Sequence, residues 1–207
     1  DGDGLSNAVE AQEGRNPFIK DNDVFASPRL FAMQQYRDFL AREGDAGGIN
    51  FWANQITGGT ATRGQVVDSF FSSPEFQGTI APVARLYFAY FLRIPDYSGL
   101  NFWIGYYKAG NPLAAISQAF ATSPEFGTRY GALDNGQFVD LVYQNVLGRG
   151  ADAPGRAFWK GQLDTGAMDR GTVMLGFSES DEYKLMIAAE VYVTMIYNGM
   201  LRRAPDA

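Results

Sequence analysis

Three tryptophans stand in this chain, and each closes the same phrase, Asp-x-x-Gly-x-x-Phe-Trp. It reads Asp45, Gly48, Phe51, Trp52; then Asp96, Gly99, Phe102, Trp103; then Asp152, Gly155, Phe158, Trp159. An arginine precedes each aspartate by three residues: Arg42, Arg93 and Arg149. A phrase that returns every 50 to 56 residues or so marks a repeat architecture, in which one supersecondary unit buries its apolar face against its neighbours.

About 20 residues beyond each tryptophan comes a second marker. It is Phe70-Phe71-Ser72-Ser73-Pro74-Glu75-Phe76, then Phe120-Ala121-Thr122-Ser123-Pro124-Glu125-Phe126, then Phe177-Ser178-Glu179-Ser180-Asp181-Glu182-Tyr183. An aromatic-rich segment of helical spacing precedes each arginine: Tyr36 to Leu40, Phe88 to Leu92, Tyr143 to Leu147. A fourth copy opens with Tyr197, Leu201, Arg203 and Asp206, which implies that the sequence is cut from a longer array.

Each marker has a local reason. Asp45, Asp96 and Asp152 sit where a loop becomes a helix, so they suit N-caps that accept backbone N–H bonds. The arginine three residues earlier is placed to pair with that carboxylate. Phe-Trp then buries an aromatic face. In Ser-Pro-Glu-Phe the serine caps, proline fits the first helical turn, and glutamate complements the helix dipole. The stretches Arg85–Leu92, Gln137–Leu147 and Glu190–Leu201 are amphipathic at helical period. Glycines at Gly58-Gly59, Gly110 and Gly166 fall at matching helix ends. The expected fold class is all-α: tandem helical repeats of about 50 residues, with three or more helices each, over 29–80, 81–132 and 136–188, with a fourth begun at 189–207.

Composition narrows the chemistry. With 46% hydrophobic residues in 207, the chain has enough apolar side chain for a real core. Only 19% are charged and the net charge is -6, so a phosphate-binding face and a nucleic-acid partner are not expected. Cysteine and histidine are absent, which removes thiol chemistry, Ser-His-Asp catalysis and His-based zinc sites. Carboxylate chemistry survives that filter, for instance a glycosidase built on Glu75 or Glu125. It needs two carboxylates in one cleft, whereas the same glutamate in every unit points to capping. No stretch has the roughly 20 apolar residues that span a bilayer.

The pattern Arg-x-x-Asp-x-x-Gly-x-x-Phe-Trp followed by Phe-x-x-Ser-x-Glu-Phe resembles the domain-of-unknown-function 4214 family over residues 29–207. The resemblance implies helical repeats distantly related to phycobilisome linker domains. It also implies a setting in large exported or surface bacterial proteins, beside calcium-binding or adhesive modules. The first copy departs at Glu43-Gly44 and the third at Asp181, neither of which alters the capping logic. The family supplies no catalytic residues to carry over.

The first 25 residues differ in character and fit the later part of an EF-hand-type loop. Gly4 is then the turn glycine, and Asp1 and Asp3 stand at the third and fifth loop positions. The Leu5 carbonyl is the seventh, Asn7 the water-mediated ninth, and Glu10 the bidentate twelfth. The run also resembles bacterial thrombospondin type 3-like repeats, with Gly14-Arg15-Asn16-Pro17 leading to Asp21 and Asp23. The expected cofactor is Ca2+ in a structural role, which argues for an extracellular or cell-surface location. The functional expectation is a non-enzymatic structural or adhesive repeat segment that self-associates into a surface layer or filament, or meets other surface proteins. Tyr106, Tyr107 and Tyr130 are candidate contact aromatics. The alternative is an accessory glycan- or protein-binding module of a secreted enzyme, with polysaccharide as partner.

Overall fold

A computed structural model describes residues 7–12 and 24–206. Among them every regular element is helical. After the short α1 (Asn7–Gln12), the first repeat gives α2 (Pro28–Leu40), α3 (Ala46–Thr57), α4 (Arg63–Ser72) and α5 (Pro74–Thr79). The second gives α6 (Ala81–Phe91), α7 (Tyr97–Lys108), α8 (Leu113–Ala121) and α9 (Pro124–Tyr130). The third gives α10 (Asn135–Leu147), α11 (Ala153–Asp164), α12 (Arg170–Ser178) and α13 (Asp181–Met186), and α14 (Ala188–Leu201) opens the fourth. The four helices of a repeat are called A, B, C and D in order.

The starts and stops follow the sequence. Asp45, Asp96 and Asp152 cap helix B by accepting from the N–H groups of Gly48, Gly99 and Gly155 at 2.9, 2.7 and 2.8 Å. Ser73, Ser123 and Ser180 cap helix D through the N–H groups of Phe76, Phe126 and Tyr183 at 3.1 to 3.2 Å. Helix B runs out at Gly59, Gly110 and Gly166, whose φ values of 69°, 91° and 69° favour glycine. Helix A ends each time on a left-handed residue: Ala41, Leu92, Gly148 and Arg202.

The chain divides into two compact units, residues 1–76 and 77–207. In the first, α2 packs on α3 and α4 and buries Phe31, Tyr36, Phe39 and Leu40, while Arg37 on its other face stays exposed. In the second, α6 is buried at every position from Ala81 to Phe91. A helix buried on every side belongs at a centre, and α6 accordingly touches α7, α8 and α9 of its own repeat, α10 and α12 of the next, and α14. The C helices α8 and α12 pack directly on each other. Three inward rings of α6 and α8, Tyr90, Phe91 and Phe120, meet at centroid distances of 4.9 to 5.9 Å.

Candidate functional site

The repeated residues converge on one small cassette per repeat. Its centre is a tyrosine of helix A: Tyr36, Tyr87 or Tyr143. The ring meets the C-helix phenylalanine edge-on, at 4.9 Å for Tyr36–Phe70, 4.8 Å for Tyr87–Phe120 and 4.9 Å for Tyr143–Phe177. Its hydroxyl lies where a side chain on the phrase glycine would start. A Cβ on Gly99 would stand 2.6 Å from the Tyr87 hydroxyl, and one on Gly48 or Gly155 would collide with Tyr36 or Tyr143. The glycine of the phrase is therefore demanded by the tyrosine of the preceding helix. Burial raises the pKa of all three tyrosines, that of Tyr87 to about 12, and the capping aspartate adds to the effect.

The arginine closes the cassette. Arg42 grips Glu75 with two hydrogen bonds of 2.6 and 2.7 Å, Arg93 grips Glu125 at 2.9 and 3.0 Å, and Arg149 grips Glu182 at 2.7 and 2.8 Å. Each also donates through Nη1 to the carbonyl of the next residue, at 3.0 to 3.4 Å. Arg42 and Arg149 lie over the rings of Tyr36 and Tyr143, whereas Arg93 lies over Phe91. The arginine holds Glu125 and Glu182 below the usual carboxylate range. The Gly N–H it accepts does the same for each of Asp45, Asp96 and Asp152.

Two expectations need correction here. In the three complete cassettes the main partner of the arginine is the glutamate some 33 residues on, not the aspartate three residues on; of these arginines only Arg149 also approaches its aspartate, Asp152, at 3.6 Å. The reason is reach: the aspartate oxygens are turned onto the B-helix N–H groups, while the fork of the guanidinium fits a carboxylate facing it from helix D. Nor does Phe-Trp bury as a pair. The tryptophans are half-buried, with their rings 5.3 to 5.8 Å from Phe70, Phe120 and Phe177. Phe51, Phe102 and Phe158 are 53%, 62% and 52% exposed. Adjacent residues on a helix point about 100° apart, so a helix with a single inward stripe cannot turn both inward.

Glu75 and Glu125, the carboxylates considered for hydrolysis, each lie in a separate cassette under an arginine. A hollow of about 140 Å³ beside the first cassette is lined by Tyr36, Arg42, Trp52 and Glu75 among others. Among the contact aromatics, Tyr130 is fully buried, its hydroxyl accepting from Asn145 at 3.0 Å, and Tyr106 and Tyr107 are half-buried. Of the expected calcium ligands, Asp1, Asp3, Leu5, Asp21 and Asp23 lie outside the described residues. Asn7 and Glu10 both fall in α1, one turn apart. Among the described residues no group of three or more acidic side chains is placed to hold a metal, and no helix is long and apolar enough to cross a membrane.

Sequence reasoning missed one feature. Arg85 of α6, only 3% exposed, makes a two-point pair with Glu179 at 2.9 and 2.7 Å. Neither residue belongs to a repeated marker: Gln34 and Leu141 stand at the position of Arg85 in the flanking repeats, and Ser72 and Thr122 at that of Glu179. The apolar periodicity of α6 hides a buried arginine within it.

No solved structure matches the chain. NADH-quinone oxidoreductase subunit L of Neisseria meningitidis serogroup A / serotype 4A (strain DSM 15465 / Z2491) is 32% identical over 99 residues. The match covers 48% of this chain and 14% of that protein, so the chain spans a small part of its length. The family described as "Domain of unknown function (DUF4214)" matches residues 21–80 and 117–187, which hold the first and third cassettes almost entire and make up more than half of the chain. With the same tyrosine, glycine, arginine and glutamate meeting in each repeat, the chain belongs to the DUF4214 family.

Proposed function

We propose that this chain is a non-catalytic, structural or adhesive repeat segment of a larger secreted or cell-surface bacterial protein, stabilised by calcium and able to self-assemble into a layer or filament. One observation carries the reading. The recurring polar residues are partnered within the repeat itself as caps and ion pairs, while the recurring large apolar residue that faces solvent is a phenylalanine: Phe51, Phe102 and Phe158. A large apolar side chain repeated at the surface, more than half exposed although its ring meets the adjoining tryptophan at 4.8 to 5.0 Å, suits contact with another molecule, and aromatic residues are enriched at such contacts. The acidic spacing of Asp1, Asp3, Leu5, Asn7 and Glu10, with Asp21 and Asp23 beyond, supports calcium as a structural ligand, since oxygen donors in that order suit a hard cation.

The test is sedimentation velocity of the chain in millimolar calcium and in chelator, beside the variant with Phe51, Phe102 and Phe158 all changed to Ser. Concentration-dependent assembly that the triple change abolishes is the expected result. A monomer at every concentration, with a melting temperature indifferent to chelator, overturns it. The same phenylalanines support the alternative, an accessory glycan- or protein-binding module of a secreted enzyme; saturable binding of a polysaccharide by the monomer, lost in the triple variant, would decide for it.

A further inference from the structure

Helix α14 rebuilds the first half of the cassette. Arg202 takes a left-handed φ of 55°, and the Arg203 N–H donates to the Tyr197 carbonyl at 3.4 Å. The Arg203 guanidinium stands 4.9 Å from the centre of the Tyr197 ring and donates to the Ala204 carbonyl at 3.2 Å. These match Ala41, Arg42 and Tyr36 in the first repeat, and Gly148, Arg149 and Tyr143 in the third.

The cover differs. Ala32, Val83 and Val139 of the other A helices are 0% exposed, and Val193 in their place is 48% exposed. Leu40, Phe91 and Leu147 are at most 8% exposed, and Leu201 in their place is 52% exposed. In the complete cassettes the glutamate of helix D takes the arginine; here Arg203 turns to Asp206 at 2.9 Å, the residue whose counterparts cap helix B. Val193 and Glu190 line a groove of about 380 Å³ with Phe88 and Ile94, and Asp206 stands at its margin. In the third repeat the position of Glu190 is Gly136, where an added Cβ would lie 2.8 Å from Arg156 of helix B. The groove is therefore placed where a B helix lies.

We propose that this face of α14 is a docking site for the B, C and D helices of a further repeat unit of the same signature. The inference rests on the repeat reading above and supplies the partner. The three complete cassettes state the chemistry of the occupant. Asp206 leaves Arg203 and caps an incoming helix B; its tryptophan and a C-helix phenylalanine close on Tyr197; a D-helix glutamate takes Arg203 in a two-point pair; and apolar side chains cover Val193 and Leu201.

The test appends residues 153–188, the chain's own third B, C and D helices, after Asp206 of the full chain, and follows hydrogen exchange and melting. The expected result is exchange across α14 slowed at least about tenfold, as for an element moved from a low-stability edge into a cooperative core. Val193→Glu should lower the melting temperature of the extended chain by several degrees, in the range a kcal/mol-scale core defect gives, and leave the 207-residue chain unchanged. As a control on misfolding, the same segment added as a separate peptide should protect α14 in wild type and not in Arg203→Ala. Unchanged α14 exchange in both formats overturns the proposal, as does an equal effect of Val193→Glu with and without the added helices. Concentration-dependent protection of α14 in the 207-residue chain alone would assign the face to a second copy and also overturn it. Failure of calcium-dependent assembly through the exposed phenylalanines would leave the α14 result standing, so the two readings fail separately.

Discussion

Helices α2 and α6 hold the same place in successive repeats. Each ends in a left-handed residue, and each presents a tyrosine to a glycine and an arginine to a glutamate. Their flanks differ. At the position where α2 has Gln34, hydrogen-bonded to Asp38 within the same helix at 2.7 Å, α6 has Arg85, buried and paired with Glu179 of the next repeat. Where α2 continues with Arg37 and Asp38, α6 has Phe88 and Ala89. The cassette, built from residues that recur, holds each repeat together; the packing of repeat on repeat in the second unit adds contacts from residues that do not recur, such as Arg85 with Glu179.

The largest test of this contrast removes one side of the buried pair. With its side chain 4% exposed, Arg85 cannot recover water when Glu179 is lost, whereas Glu179, 25% exposed and 3.6 Å from Lys184, keeps both water and a cation when Arg85 is lost. Glu179→Ala should therefore cost about 3 kcal/mol, the lower end of the range for orphaning a buried charge, and Arg85→Ala somewhat less, since Glu179 keeps Lys184. The expected shift is read by urea unfolding of the second unit through Trp103 and Trp159 in a Trp52→Phe background. Gln34→Ala in α2, read through Trp52 of the first unit in a Trp103→Phe, Trp159→Phe background, removes one within-helix hydrogen bond and should cost no more than about 0.5 kcal/mol. Similar costs at Arg85 and Gln34 would dissolve the distinction between the two helices.

The next test acts inside the cassette and uses two glycines of one helix. Gly99 of α7 faces the Tyr87 hydroxyl, whereas a Cβ on Gly105 would meet nothing within 4 Å. Gly99→Ala should cost about 2 kcal/mol, since a buried ring must move to admit the methyl group. Gly105→Ala should instead stabilise by about 0.5 to 1 kcal/mol through helix propensity. Tyr87→Phe removes the nearest obstructing oxygen and leaves the Asp96 carboxylate 2.9 Å from the added Cβ, so the double variant Gly99→Ala with Tyr87→Phe should recover part of the loss in a thermal-melt double-mutant cycle. Additive costs would show that the glycine serves something other than the tyrosine.

What could be read from sequence divides along the same line. The caps at Asp45, Asp96 and Asp152, the serine starts of helix D and the glycine stops of helix B are local, and local hydrogen-bonding rules placed them. The all-helical class followed from period and caps together. The pairing of Arg42 with Glu75 joins residues 33 apart and was assigned to the nearer Asp45, because spacing in sequence favours the close carboxylate and says nothing of which one faces the guanidinium. The exposure of Phe51, Phe102 and Phe158 was hidden for a similar reason: an aromatic pair looks like core until the width of the helix's buried stripe is known. Arg85 and Glu179 were hidden because no other repeat carries a charge at either position.

The smallest test uses protons, and it separates the two kinds of contact by their number. Asp45, Asp96 and Asp152, held low by glycine N–H groups, and Glu125 and Glu182, held low by arginine, all have folded pKa values below their unfolded ones. Between the two values the unfolded chain binds more protons than the folded one, so these groups stabilise the fold fully above the ordinary carboxylate range of about 4. That contribution is lost as pH falls through the folded values. The melting temperature should be flat from pH 7 to about 5 and decline below about 4. Each cassette is solvent-exposed and its ion pair is screened, so Glu125→Gln should cost no more than about 1 kcal/mol at pH 7, less in high salt. The same variant should shallow the acid decline only slightly, because the other shifted carboxylates remain. A decline that vanished with Glu125 alone would mean that one cassette, rather than the repeated set, carries the acid sensitivity, and the equivalence of the repeats would fail at that point.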